Sequence, residues 1–87
     1  MIITLETYNL IDFDLQSYRP MSMAFERIGM FTCVTIDGKM YQIFQKKGTE
    51  DFCLINFSYK NFGECEVTKS NFFTEDDLAE FLIFYGK

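Results

Sequence analysis

Two neighbouring runs, residues 31–36 and 39–44, are rich in β-branched and aromatic side chains and flank the pair Asp37-Gly38. Both residues of that pair tolerate positive φ, so the segment predicts an antiparallel hairpin closed by a two-residue type I′ turn. The turn sets the register. Ile36 faces Lys39, Val34 faces Tyr41 and Thr32 faces Ile43 on one side, while Thr35 with Met40, Cys33 with Gln42 and Phe31 with Phe44 share the other. Both sides carry apolar groups.

The same periodicity continues beyond Gly48. Cys53, Ile55, Phe57 and Tyr59 alternate with Phe52, Leu54, Asn56 and Ser58, the period of two that turns one set inward, and a strand here extends the hairpin into a meander. Residues 2–8 form a further candidate strand, with Ile3 and Leu5 on one side and Thr4 and Glu6 on the other. A short helix is predicted near 20–28: Pro20 stands near its start, Met21, Ala24, Phe25 and Ile28 follow helical spacing, and Gly29 sits where a helix terminates. A second helix is predicted near 75–85. Thr74 is a good N-cap, Glu75, Asp76 and Asp77 suit the positive end of the helix dipole, and Phe73 can staple to Leu78. Its core stripe is Leu78, Phe81, Leu82 and Tyr85. Ile83 and Phe84 project away from that stripe and require cover, either from the chain's own loop around Phe62 or Phe72 or from a second protein. The expected architecture is a single α+β domain over residues 1–87, with an antiparallel sheet of three to four strands and both helices packed on one face.

Size and composition sharpen this. A chain of 87 residues has room for one core, and an aromatic fraction of 18%, with eleven Phe and five Tyr, supplies more ring surface than so small a domain can bury. Some rings must lie outside, which favours a surface for association. No stretch approaches the roughly 20 apolar residues of a membrane span, the opening residues lack a basic and apolar leader, and the cysteines (Cys33, Cys53 and Cys65) are odd in number and widely spaced. The expectation is a cytoplasmic protein.

The residue inventory restricts chemistry. Histidine is absent, so neither a Cys–His nor a Ser–His–Asp nucleophile can be assembled from this chain, and no close cysteine pair offers a zinc site. Carboxylates remain: Asp12-Phe13-Asp14 and Glu64-Cys65-Glu66 each place two acids on one side of an extended segment, but without the glycine and distal glutamate of a calcium loop. The glycines, Gly29, Gly38, Gly48, Gly63 and Gly86, are isolated and suit turns or caps; no nucleotide cradle is formed. The expectation is therefore no catalytic residue, no metal and no cofactor. Direct nucleic-acid binding has one local case, Lys39, Lys46 and Lys47 beside Tyr41 and Phe44, which the overall field opposes.

That field is uneven. Net charge is −5; residues 1–49 are balanced, and the excess resides in Glu50, Asp51, Glu64, Glu66, Glu75, Asp76, Asp77 and Glu80, against Lys60, Lys69 and Lys87. An acidic, histidine-free chain with surplus rings is expected to bind and modulate another macromolecule, a basic nucleic-acid enzyme being a suitable partner, through those eight acids with Ile83 and Phe84. In size and acidity it resembles the small inhibitors encoded by phages and mobile elements, anti-CRISPR proteins among them, some of which act as DNA mimics by presenting carboxylates to a phosphate-binding cleft. The alternative is a structural or adaptor module that homodimerises through Ile83, Phe84 and an open sheet face or edge. A third reading is an enzyme that uses carboxylates alone.

Overall fold

The computed structural model describes residues 2–85; Met1, Gly86 and Lys87 lie outside it, and with them the reading of Gly86 as a turn or cap. In chain order the strands are β1 (Leu5–Asn9), β2 (Tyr18–Pro20), β3 (Met23–Phe25), β4 (Gly29–Phe31), β5 (Cys33–Ile36), β6 (Lys39–Lys46), β7 (Phe52–Tyr59) and β8 (Cys65–Ser70), followed by one helix, α1 (Glu75–Tyr85). The class is α+β. The main sheet is antiparallel and six-stranded, larger than the three to four strands expected, and runs β1-β8-β7-β6 with β2 and β5 side by side along the far edge of β6.

The hairpin forms as its turn dictates. Asp37 and Gly38 both hold positive φ, 51° and 79°, and the pairing Ile36↔Lys39, Thr35↔Met40, Val34↔Tyr41, Cys33↔Gln42 is the predicted one; the expected match of Phe31 with Phe44 does not form, because Phe31 pairs with Met23 and Phe44 with Pro20, on opposite faces of the sheet. Alternation then divides the side chains between two cores. Val34, Ile36, Tyr41, Ile43, Phe52 and Leu54 point to one face and pack with Phe73, Leu78, Phe81 and Leu82. Phe44, Cys53, Ile55 and Val67 point to the other, where Tyr8, Leu10, Phe13, Leu15, Tyr18 and Phe57 cover them.

Helix α1 closes the first face. The Asp77 N–H donates to Thr74 Oγ1 at 3.1 Å, the N-cap contact expected of Thr74, and the Leu78 N–H donates to the Thr74 carbonyl at 2.9 Å. Leu78, Phe81 and Leu82 are buried. Tyr85, expected in the same stripe, is instead almost half exposed and stacks on Phe81 with ring centroids 4.5 Å apart; the helix outruns the sheet beneath it by its last turn.

The helix expected near 20–28 does not form. Residues Met23–Phe25 and Gly29–Phe31 pair instead as an antiparallel ribbon, Met23↔Phe31, Ala24↔Met30 and Phe25↔Gly29. A helix of that length is marginal without strong packing, whereas the ribbon drives Met23 into the core, with Met21, Phe25, Ile28 and Phe31 against it. Of the residues that suggested a helical stripe, Met21, Phe25 and Ile28 do pack against the core from the ribbon and its flanks, while Ala24 is exposed. The excursion starts and ends at one residue: the Met21 N–H donates to the Ile43 carbonyl and the Ile43 N–H donates to the Thr32 carbonyl, both at 2.9 Å.

Strand β8 was not predicted. Its polar sequence, Cys65–Ser70, lies between β1 and β7, and Thr68, Lys69 and Ser70 are buried there. Each finds a use. Ser70 Oγ accepts the Leu54 N–H and donates to the Asn71 carbonyl, both at 2.8 Å, and Lys69 Nζ donates to the Ser70 carbonyl at 2.8 Å while lying 4.1 Å from the centre of the Phe72 ring. Asp12-Phe13-Asp14 is likewise not a plain extended segment: Asp12 ends one short 3-10 turn, Leu10–Asp12, and Asp14 precedes another, Leu15–Ser17.

Candidate functional site

The late acids part company in the fold. Phe52 and Phe73 bridge through paired backbone hydrogen bonds of 2.9 and 2.7 Å, which sets Glu50 and Asp51, in the β6–β7 turn, beside the first turn of α1 with Glu75, Asp76 and Asp77. Glu64, in the turn after β7, and Glu66, opposite Ser58 near the far end of β7, lie roughly 20 Å away for a strand of this length, and there Glu66 pairs with Lys60 at 3.2 Å. That is the single ion pair among the described residues. The expected eight-acid surface is therefore two surfaces.

On α1 the acids form a pattern. Residues three and four apart on a helix are neighbours, so Asp76 and Asp77 adjoin Glu80, and Glu80 adjoins Ile83 and Phe84. All five are exposed, Ile83 by 51% and Phe84 by 77%. The result is one continuous solvent stripe, acidic at its start and apolar at its end. Ile3, Glu80, Phe81, Phe84 and Tyr85 line a shallow hollow of about 220 Å³ beside it. The helix carries four acids and no base. Asp and Glu in the first turn are stabilised by the dipole, but like charges at the Asp76–Glu80 spacing cost a few tenths of a kcal/mol. Neither Phe62 nor Phe72 shields Ile83 or Phe84: Phe62 is wholly exposed and Phe72 lies on the opposite face against Tyr18 and Lys69.

The lysine and ring grouping considered for nucleic acid is dispersed. Tyr41 and Phe44 are buried on opposite faces of the sheet, and Lys46 instead sits 5.7 Å from the Phe72 ring centre. The carboxylate pairs do not converge on one another: Asp12 and Asp14 flank a shallow surface dip with Leu10 and Leu15, and Glu64 and Glu66 line a hollow of about 360 Å³ with Tyr8, Lys60 and Cys65. No group of three or more Cys, Asp or Glu side chains is placed to hold a metal ion among the described residues. Cys53 is fully buried, and burial pushes its thiol up to about 11 despite the opposing pull of Lys69; it is a packing residue. No helix among the described residues is long and apolar enough to cross a membrane.

Exposed apolar groups also occur where the sequence reading did not place them. Ile11, Tyr59 and Phe62 are 88%, 85% and 102% exposed. Gly63, Glu64 and Cys65 share a hollow of about 400 Å³ with Asn9, Leu10 and Ile11, so this cluster occupies the end of the sheet remote from the start of α1. The legible signal was the pair Phe62-Gly63: a bulky ring stands where a tight turn calls for Asn or Gly. Compared with known proteins, the chain matches no family model, no curated sequence and no solved structure.

Proposed function

We propose that this is a non-enzymatic protein that binds, and thereby modulates, a basic protein surface through the outward face of α1. The observation that carries the reading is the unbroken stripe from Asp76 and Asp77 through Glu80 to Ile83 and Phe84, exposed along its length. Glu50 and Asp51 widen its acidic half. A partner that matches it presents lysines or arginines followed by an apolar groove or ridge, as a phosphate-binding cleft with an apolar wall does; the acids steer the encounter and the apolar turn supplies the residence time. Nucleic-acid mimicry is the narrower form of the proposal, and it rests on Glu50, Asp51, Glu75, Asp76, Asp77 and Glu80 without Glu64 and Glu66. Pairing of this helix with its own copy is disfavoured, because it would bring four acids against four with no base on either side.

Affinity capture from the native host identifies the partner, and titration of that partner across a salt series tests the surface. The triple variant Asp76→Asn, Asp77→Asn, Glu80→Gln is expected to weaken binding about tenfold at low salt and to flatten the salt dependence. Phe84→Ala is expected to weaken it at every salt concentration. A complex indifferent to both salt and Phe84 would end the proposal.

A further inference from the structure

The two edges of the main sheet are finished differently. Along the far side of β6 the edge is divided between β2 and β5, three and four residues long, and β2 ends on Pro20, which has no N–H to offer. Short strands and proline are ordinary means of keeping an edge from pairing. Strand β1, at the other end of the order, lacks these devices. Leu5–Asn9 matches β8 residue for residue, with no bulge, proline or lysine, and nothing pairs with its outer side among the described residues.

The ladder fixes what that outer side presents. The Asn71 N–H donates to the Thr4 carbonyl at 3.0 Å, one step beyond the Leu5↔Ser70 match. Bonded and unbonded pairs alternate along an antiparallel ladder. Glu6 and Tyr8 therefore bond inward to Lys69 and Val67, while Leu5, Thr7 and Asn9 turn their peptide groups outward. A row of outward groups at every second residue is matched by an extended strand.

A second copy of β1 is the strand whose side chains fit. An antiparallel match about a two-fold axis at Thr7 is the single register that pairs all five residues: Thr7 meets Thr7, Leu5 meets Asn9, and Glu6 meets Tyr8 of the other copy. Charge agrees with this register. The one ionised side chain of β1 meets a phenol, whereas an axis one residue earlier would set Glu6 against Glu6. The Tyr8 hydroxyl already donates to the Glu6 carboxylate within one chain, so the two groups stand on one face with the polarity to bond across the join. Lys69, opposite Glu6 on β8, supplies a positive neighbour, in contrast to the four acids of α1, which have no base among them.

We propose that β1 is a homodimer edge, pairing antiparallel with β1 of a second copy about Thr7, so that two six-stranded sheets become one continuous sheet and the assembly closes at two.

Sedimentation velocity of the isolated protein over a concentration series is the test, with amide hydrogen exchange read alongside. The weight-average mass is expected to double as concentration rises through the micromolar range. Exchange at Leu5, Thr7 and Asn9 should slow with it, while Glu6 and Tyr8, already bonded to β8, stay unchanged. Because each copy carries a net charge of −5, added salt should tighten the dimer by screening repulsion, the opposite of the response expected of a basic partner on α1. Thr7 is exposed, so Thr7→Lys and Thr7→Glu keep the fold, yet each sets like charges against one another across the axis and should abolish the doubling. An equimolar mixture of the two variants should restore it, which also shows that both are folded. A wild-type protein that stays monomeric throughout overturns the proposal and leaves the edge to a foreign strand. A dimer that survives either substitution, or a mixture that stays monomeric, overturns it as well. None of these outcomes bears on binding through α1, which is read by the captured partner.

Discussion

The two faces of the sheet are sealed by different means. On one, a capped helix and a paired ribbon press eleven buried side chains together, from Met23 to Leu82. On the other, the buried apolar residues are Phe44, Cys53, Ile55 and Val67, and the cover combines Leu10 and Leu15 of two short 3-10 turns with rings from the strands and links beside them, which overlap like shingles. Tyr8 and Phe13 lie 5.3 Å apart, Phe13 and Tyr18 5.3 Å, and Tyr18 and Phe72 6.4 Å. Lys69 completes this second lid, its stem against the sheet and its ammonium under Phe72. The difference teaches that a sheet face without a helix can be covered by overlapping rings, with each ring contributing less than a fully buried one because one side stays wet.

That claim can be broken most directly in the cores. Leu78→Ala on the helix side should cost about 3–4 kcal/mol, the range for emptying a fully buried leucine site, whereas Phe13→Ala on the ring side should cost about 1–2 kcal/mol. Urea unfolding of both variants reads the contrast, and equal losses would mean that the two lids are energetically alike. The ring side can next be probed through its buried thiol. Burial raises Cys53 from 9.0 to about 11, so folding favours the protonated form. Its contribution is complete below the unfolded value of 9.0 and is lost as pH climbs through about 11, roughly 2–3 kcal/mol in all. Unfolding followed between those limits should show stability falling with pH, and Cys53→Ala should reduce the slope. Tyr18 and Tyr41, raised chiefly by burial, and Tyr8, raised chiefly by its hydrogen bond to Glu6, leave a residual slope of the same sign. The smallest effect belongs to the helix cap: Thr74→Ala should cost about 1 kcal/mol and speed hydrogen exchange in α1 while leaving the amides of β7 and β8 unchanged. Loss of protection on both sides would show that the faces open together.

What could be read from the chain follows the same divide. The Asp37-Gly38 hairpin from residue 33 to residue 42, strand β7 and the Thr74 cap all depend on neighbours in sequence and form as expected, although both sets of alternating side chains in β7 are buried rather than one. Strand β8 was hidden because its burial comes from partners on both sides; nothing in Thr68, Lys69 and Ser70 announces that Leu54 and Phe72 will satisfy or cover them. The ribbon at 23–31 was misread because a run with apolar residues at both helical and alternating spacings is decided by the surface it lands on. At the surface, Ile83 and Phe84 were found because a helical wheel isolates them, and their exposure agrees. The grouping of the late acids and the apolar end around Phe62 depend on strand order, which no local pattern encodes.

The tether of the ribbon to Ile43 has a consequence for how such a chain can change. Because departure and return are secured to the same residue, the number of residues in between is uncoupled from the registry of every strand in the sheet. Lengthening the tip between Phe25 and Gly29 would leave the ladder undisturbed, which makes that tip the place where a lineage, or a protein engineer, can graft new sequence without renegotiating the rest of the molecule.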